Sequence, residues 1–148
     1  VRVVIDPELK FPSTAKMLQL PGQILIFTKN NTDNELEIVR QAGAEVITLT
    51  GDRKDFLKVV LKYLATEKEI NEVLLESGAS LAGSMLEQGL IDELIIYQAP
   101  VLMGNKARGM LDLPEFHSME ENIQLEVIDT KQVGKDIRIT LKPKTTLE

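Results

Sequence analysis

The chain of 148 residues contains no cysteine. That absence removes disulfides, thiolate catalysis and cysteine-ligated zinc together, and it fits a cytoplasmic protein. Histidine is almost as scarce. The one present, His117, stands among Pro114, Glu115, Phe116 and Ser118 in a stretch that reads as a loop. A lone loop histidine reads as a solvated surface residue, and no second one exists to build a histidine-rich site, so no metal is expected. No apolar run reaches the ~18 residues that a membrane-spanning helix needs, and the opening residues lack the pattern of a signal peptide. Positive charge is also short: 17 Lys and Arg against 23 Asp and Glu leave a net charge of −6. That balance argues against a nucleic-acid backbone or an anionic membrane surface as partner. It leaves room for a small phosphorylated ligand held by one local patch.

What is present is ordinary for a globular chain, with 43% hydrophobic and 27% charged residues, and the length suits one domain. Apolar runs at residues 2–6, 24–27, 46–49 and 70–76 read as buried strands, and 91–99 as a fifth. Pro7 and Pro12 enforce a loop around Lys10, and Ser13 can cap a short helix through Lys16 and Leu18 that Pro21-Gly22 ends. Thr32-Asp33-Asn34-Glu35 has the form of a capping box, opening a helix with Leu36, Ile38 and Val39 inward and Gly43 as its stop. Leu57, Val60, Leu61 and Leu64 repeat at helical spacing, and Lys54, Lys58 and Lys62 read as the solvated side. Residues 104–120 form a long irregular stretch, and such stretches often carry function. Alternation at 123–130 and 136–142, joined by Gln132-Val133-Gly134-Lys135, predicts a terminal hairpin. Repeated strand–helix units imply an α/β fold with a mainly parallel sheet flanked by helices, to which the hairpin adds antiparallel strands.

The stretch from Leu74 to Gly104 organises the rest. Val73-Leu74-Leu75 runs out at Glu76, Gly78 permits a tight turn, and Ser80 is a candidate N-cap for a helix over 80–88 that Gly89 stops. Ala79, Ala82 and Gly83 leave the first helical turn nearly bare. A strand, a glycine and a bare helix start let backbone N–H groups hold a phosphate. Close packing of helix on sheet accounts for the same small residues. The spacing is neither a Walker A loop nor the Gly-x-Gly-x-x-Gly fingerprint.

Three motifs in order carry a family resemblance: Glu76-Ser-Gly-Ala-Ser-Leu-Ala-Gly-Ser, Gly89-Leu-Ile-Asp-Glu-Leu, and Ala99-Pro-Val-Leu-Met-Gly-Asn-Lys-Ala-Arg-Gly. With the opening Arg2-Val-Val-Ile-Asp6, Lys10 and Pro12, they cover nearly the whole chain. The chain resembles the reductase half of the bifunctional riboflavin-biosynthesis deaminase–reductase. The resemblance implies a dihydrofolate-reductase-like fold and NADPH-dependent reduction of 5-amino-6-(5-phosphoribosylamino)uracil to the ribitylamino product. The ribose ring would open to an imine at C1′, which hydride from the nicotinamide reduces. Matched by motif, Glu76 is the substrate-contacting glutamate, with a charge favouring the helix dipole as the alternative. Gly78, Ala79, Ser80, Leu81, Ala82, Gly83 and Ser84 match the NADPH-binding turn. The matching leaves the catalytic residue unassigned, with proton transfer during ring opening a further role open to Glu76. It also implies a homodimer, with residues 91–103 as a candidate interface strand, and a deaminase domain in the full-length protein.

The chain departs from that pattern in places. A serine that touches NADPH often follows the first aspartate in this family, but Pro7 stands here with neither hydroxyl nor N–H, leaving Ser13 or Thr28 to compensate. Lys29 is a candidate for the adenosine 2′-phosphate and Lys106 and Arg108 for a substrate phosphate; exposed loop cations without such roles are the alternative. No His-x-Glu…Pro-Cys-x-x-Cys signature is present. The expectation is a reductase domain over 1–146 without its N-terminal segment, with Leu147-Glu148 resembling a cloning scar. A non-catalytic nucleotide-binding or dimerisation module of this fold remains open. So does a reductase of this fold acting on another pterin-like or pyrimidine substrate.

Overall fold

The computed structural model describes residues 1–30, 32–52 and 54–144. Asn31 of the polar loop and the expected scar at Leu147-Glu148 lie outside the described residues. The chain divides into two compact units, Val1–Asn71 and the part from Glu72 onward.

The first unit is a parallel sheet of β1 (Arg2–Ile5), β2 (Ile24–Thr28) and β3 (Glu45–Thr48), with β2 in the middle. The register sets Val3 beside Leu25 and Ile26 beside Val46. The central place of β2 explains its uniform apolarity, since all five of its residues are buried. Alternate side chains point to opposite faces. Ile24 and Ile26 pack with Leu36 and Val39 of α1 (Asp33–Gln41). On the other face Phe27 meets Tyr63 of α2 (Phe56–Glu67) edge-on, with ring centroids 5.4 Å apart. Burial of Leu25, Ile26 and Phe27 stabilises the unit by about 1.5–3 kcal/mol each.

Local chemistry departs from the expectations in two places. Thr32 is the N-cap of α1 but makes no side-chain cap bond. Asn30 occupies both groups of the expected capping box: its Nδ2 donates to Glu35 Oε2 at 2.6 Å, and its Oδ1 accepts from the Thr32 N–H at 2.8 Å. The short helix after Pro12 is a 3-10 turn, Lys16–Gln19, starting from Ala15 rather than Ser13. Gly43 does end α1, at φ +103°, where a side chain would strain the backbone. Ile38 is exposed, whereas Leu36 and Val39 are buried. Along α2, Phe56, Leu57, Val60 and Leu64 are buried while Lys54, Lys58 and Lys62 face solvent. Lys68 Nζ donates to Glu45 Oε1 at 2.7 Å, tying the end of α2 to β3.

The second unit opens on an irregular segment, and the buried strand expected at 70–76 does not form. These residues join no sheet, and Leu74 is 81% exposed. An apolar run reports a wish for burial, but a strand also needs a neighbour to bond to, which composition does not supply. α3 (Ala79–Glu87) follows, then β4 (Leu94–Gln98), a 3-10 turn at Met119–Glu121, and the hairpin of β5 (Leu125–Val133) and β6 (Asp136–Pro143). The order is β4-β6-β5, antiparallel throughout. β4 thus pairs with the hairpin rather than extending the parallel sheet. Gly134 turns the hairpin at φ +62°, with no positive φ at Lys135, the pattern of a two-residue turn led by glycine. A bulge between Val127 and Asp129 leaves Ile128 over half exposed. Arg138 of β6 donates to Asp129 of β5 at 2.6 Å, which raises the guanidinium pKa above its ordinary value.

Candidate functional site: the first turn of α3

Gly78 caps α3 in extended conformation, at φ −73° and ψ 169°, with no side-chain cap bond. Ser80, the expected cap, is instead the second helical residue, and its hydroxyl donates to Asp112 Oδ2 at 3.2 Å. The turn closes with the Ala82 N–H donating to Gly78 O at 3.2 Å. The N–H groups of Ala79, Ser80 and Leu81 precede that bond, so helix geometry gives them no internal acceptor. They carry the partial positive charge of the helix start.

Gly78, Ala79, Ser80 and Leu81 line a cavity of about 590 Å³ together with Arg108, Gly109, Leu111 and Asp112. The irregular stretch therefore returns to the glycine turn and adds one cation and one carboxylate to it. A Cβ placed on Gly78 would meet nothing within 4 Å, so a larger side chain there would extend into the open space beside the turn. Gly83 behaves oppositely. A Cβ there would overlap the Asp112 carbonyl oxygen and come within 2.8 Å of its carbon.

The expected site residues thus separate. Gly78 to Leu81 border the cavity. Ala82 and Ser84 do not border it, and Gly83 is buried against Asp112. Glu76 is exposed and stands two positions before the cavity's first residue, outside its lining. Arg108 borders the cavity and Lys106 does not, though both are exposed. Asp112 and Leu111 were not singled out by sequence reasoning. A single carboxylate in an aperiodic stretch gives no signal of what it folds against.

The residues weighed in the first unit are occupied locally. Thr28 is fully buried; its hydroxyl donates to Pro7 O at 3.2 Å and accepts from the Asn30 N–H at 3.1 Å. The Lys29 ammonium donates to Gly51 O at 2.8 Å and lies 5.3 Å from the centre of the Phe56 ring. Ser13 is exposed. His117 is exposed too, and its main-chain N–H donates to Glu121 at 2.8 Å. Among the described residues, no group of three or more histidine, cysteine, aspartate or glutamate side chains could hold a metal ion. No helix among them is long and apolar enough to cross a membrane.

Three parallel strands between two helices, followed by an antiparallel sheet that ends in a hairpin, define an α/β domain of the dihydrofolate-reductase-like class. The family model of the RibD C-terminal domain matches residues 1–139. The riboflavin biosynthesis protein RibD of Escherichia coli K12 is 33% identical over 143 residues, covering 95% of this chain and 37% of that protein. A 5-amino-6-(5-phosphoribosylamino)uracil reductase of Buchnera aphidicola is 30% identical, with 97% of this chain and 68% of that one covered. A 2,5-diamino-6-ribosylamino-4(3H)-pyrimidinone 5′-phosphate reductase of Methanothermobacter thermautotrophicus is also 30% identical, with 93% and 63% covered. Among solved structures, Acinetobacter baumannii RibD superposes with a TM-score of 0.82 at 31% identity, covering 97% of this chain and 37% of that one. The chain belongs to the RibD C-terminal domain family. It spans little more than a third of the longer RibD relatives and about two thirds of the shorter reductases.

Proposed function

We propose that this chain is the NADPH-binding portion of a riboflavin-pathway reductase that reduces 5-amino-6-(5-phosphoribosylamino)uracil to 5-amino-6-(5-phosphoribitylamino)uracil. The observation that carries the reading is the first turn of α3, free of any side-chain cap bond, opening on a cavity that Arg108 also lines. Donors without internal acceptors and a guanidinium suit the diphosphate of a dinucleotide. The N–H groups of Ala79, Ser80 and Leu81 bind it, Arg108 balances its charge, and Gly78 leaves room for it. When bound, the cofactor supplies the hydride that reduces C1′. Glu76, exposed just before the turn, holds hydroxyl or amino groups of the substrate.

The reading includes a deaminase domain in the same polypeptide, a homodimer and a cytoplasmic location. The relatives named RibD are far longer than this chain, exposed apolar side chains such as Ile95, Tyr97 and Val127 suit an interface, and the absence of cysteine suits a reducing compartment. A second substrate is favoured by one observation. The relative named for a diaminopyrimidinone phosphate has the same 30% identity as the one named for the aminouracil, over a slightly shorter match.

The test is NADPH binding by calorimetry to the full-length protein carrying this domain, with Gly78→Val beside it. Binding that the variant loses is the expected result. Equal binding by both, or none by the wild type, overturns the placement of the cofactor. Turnover of the two pyrimidine phosphates in competition then decides between the substrates.

A further inference from the structure

Every residue from Ala99, just past the end of β4, through Met110 is exposed, so burial does not hold this segment in place. Two of its main-chain bonds, Val101 N–H to Ala99 O and Ala107 N–H to Gly104 O, only turn the segment on itself. Among the described residues, the hydrogen bonds joining the irregular stretch to α3 both run through Asp112. Its N–H donates to Ala79 O at 3.1 Å, and its Oδ2 accepts from the Ser80 hydroxyl at 3.2 Å. Its carbonyl lies where a Cβ of residue 83 would be. Ala79 and Gly83 are four residues apart and share one face of α3, so the Asp112 peptide seats in a notch that Gly83 leaves open.

We propose that Asp112 is a clasp that fastens this segment onto α3, with Gly83 as its seat, and that the clasp positions Arg108 for the phosphates of the cofactor. Asp112 is a positioning residue, and Gly83 acts by what it lacks. The inference rests on the cofactor reading above for its consequence, but not for the contact itself. An alanine at 83 would force the Asp112 main chain outward by roughly 1 Å or more before a normal contact distance is restored. The wall that carries Arg108 would move with it. The Asp112 carboxylate also stands in the cavity as a negative charge, so holding the segment costs some attraction for an anion. Asn at 112 would keep an oxygen for the Ser80 hydroxyl and remove that repulsion.

The experiment compares wild-type full-length protein with Gly83→Ala, Asp112→Ala, Asp112→Asn, Arg108→Ala and the Gly83→Ala/Arg108→Ala pair, reading KM for NADPH and kcat. Gly83→Ala and Arg108→Ala should each raise KM roughly tenfold or more, as loss of a charge-assisted hydrogen bond does, with little change in kcat. The pair should be no worse than the worse single variant, because both remove the same contact. Asp112→Ala should shift KM in the same direction, and Asp112→Asn should restore it to wild type or below. Additive effects in the pair, or an unchanged KM in both Gly83→Ala and Asp112→Ala, overturn the proposal. Asp112→Ala keeps the α3 sequence intact, so the test survives if Gly83→Ala fails to fold. Hydrogen exchange at the Asp112 amide in ligand-free protein gives a readout independent of the cofactor. That amide should be protected in wild type and exchange faster in Gly83→Ala, whose methyl displaces the Asp112 main chain; an unprotected wild-type amide, or the same exchange rate in both proteins, overturns the clasp. If NADPH binding proves insensitive to Gly78→Val, the cofactor reading fails and amide exchange alone judges the clasp. If Gly78→Val abolishes binding while the clasp variants bind normally, the clasp fails and the cofactor reading stands.

Discussion

Replacing Thr28 by valine is a sharp test of how the loops after β1 and β2 are held. Thr28 is the last residue of β2 and fully buried. Its hydroxyl bridges Pro7 O at 3.2 Å and the Asn30 N–H at 3.1 Å. Valine preserves the branched shape and removes both bonds. Pro7 O keeps a second donor, the Lys29 N–H at 3.0 Å, so the group left without a partner is the Asn30 amide. Asn30 is half-buried, which lets water compensate in part and puts the penalty at the low end of about 1–3 kcal/mol. The added methyl returns about 0.8 kcal/mol, and the lost Pro7 bond adds about 0.5–1.5 kcal/mol of its own. The net expectation is a destabilisation of about 1–2 kcal/mol. In urea that is a midpoint shift on the order of 0.5–1 M with an unchanged slope. Thr28→Ser removes only a methyl, at about 0.5–1.5 kcal/mol, and separates the two causes: amide exchange at Asn30 should accelerate in the valine variant and not in the serine one. A valine variant of wild-type stability with unchanged Asn30 exchange would refute the bridge.

Two further perturbations follow from the first unit. Leu64 is 1% exposed on the inner side of α2, so Leu64→Ala should lower stability by about 2–5 kcal/mol in denaturant unfolding. The Glu45 carboxyl is held below its ordinary value of 4.5 chiefly by the hydrogen bond from Lys68. A lowered carboxyl pKa stabilises the fold above its unfolded value, and that contribution is lost as pH falls through the folded one. Urea midpoints should therefore drop on acidification below about pH 4.5, and Glu45→Gln should drop less steeply over the same range.

The parallel half of the fold was legible because its cause is local. Ile24-Leu25-Ile26-Phe27 is too apolar to have an exposed face, and β2 is indeed covered on both. The helix of Leu57, Val60 and Leu64 carried its own periodicity in the same way. The hairpin was legible from its glycine turn. Its first strand, however, runs Leu125–Val133 and not 123–130, taking in Gln132 and Val133 from the expected turn. That strand is exposed throughout despite its alternation. What could not be read were pairings decided elsewhere in the chain. The 70–76 run has the composition of a strand and joins no sheet. β4, also read as a strand from its apolar run, finds β6, about forty positions later, in the antiparallel sense. At the site, the glycine turn was visible as a motif, but Ser80 was read as its cap. Only the folded chain shows the hydroxyl already given to Asp112. Arg108 was weighed from its motif, whereas Asp112 offered neither periodicity nor spacing.

The cavity border from Gly78 to Leu81 presents main chain at a fixed phase of the helix, and Gly83 sits one turn further at the crossing with Asp112. Phase is a property of residue count more than of residue type. A single insertion or deletion between 78 and 83 would rotate the helix by about 100° per residue, carrying the notch away from the crossing while every side chain stayed as it was. Point changes at Ala79 or Leu81 leave that phase alone. Between the two glycines, chain length therefore constrains the site more tightly than the identity of Ala79 or Leu81 does.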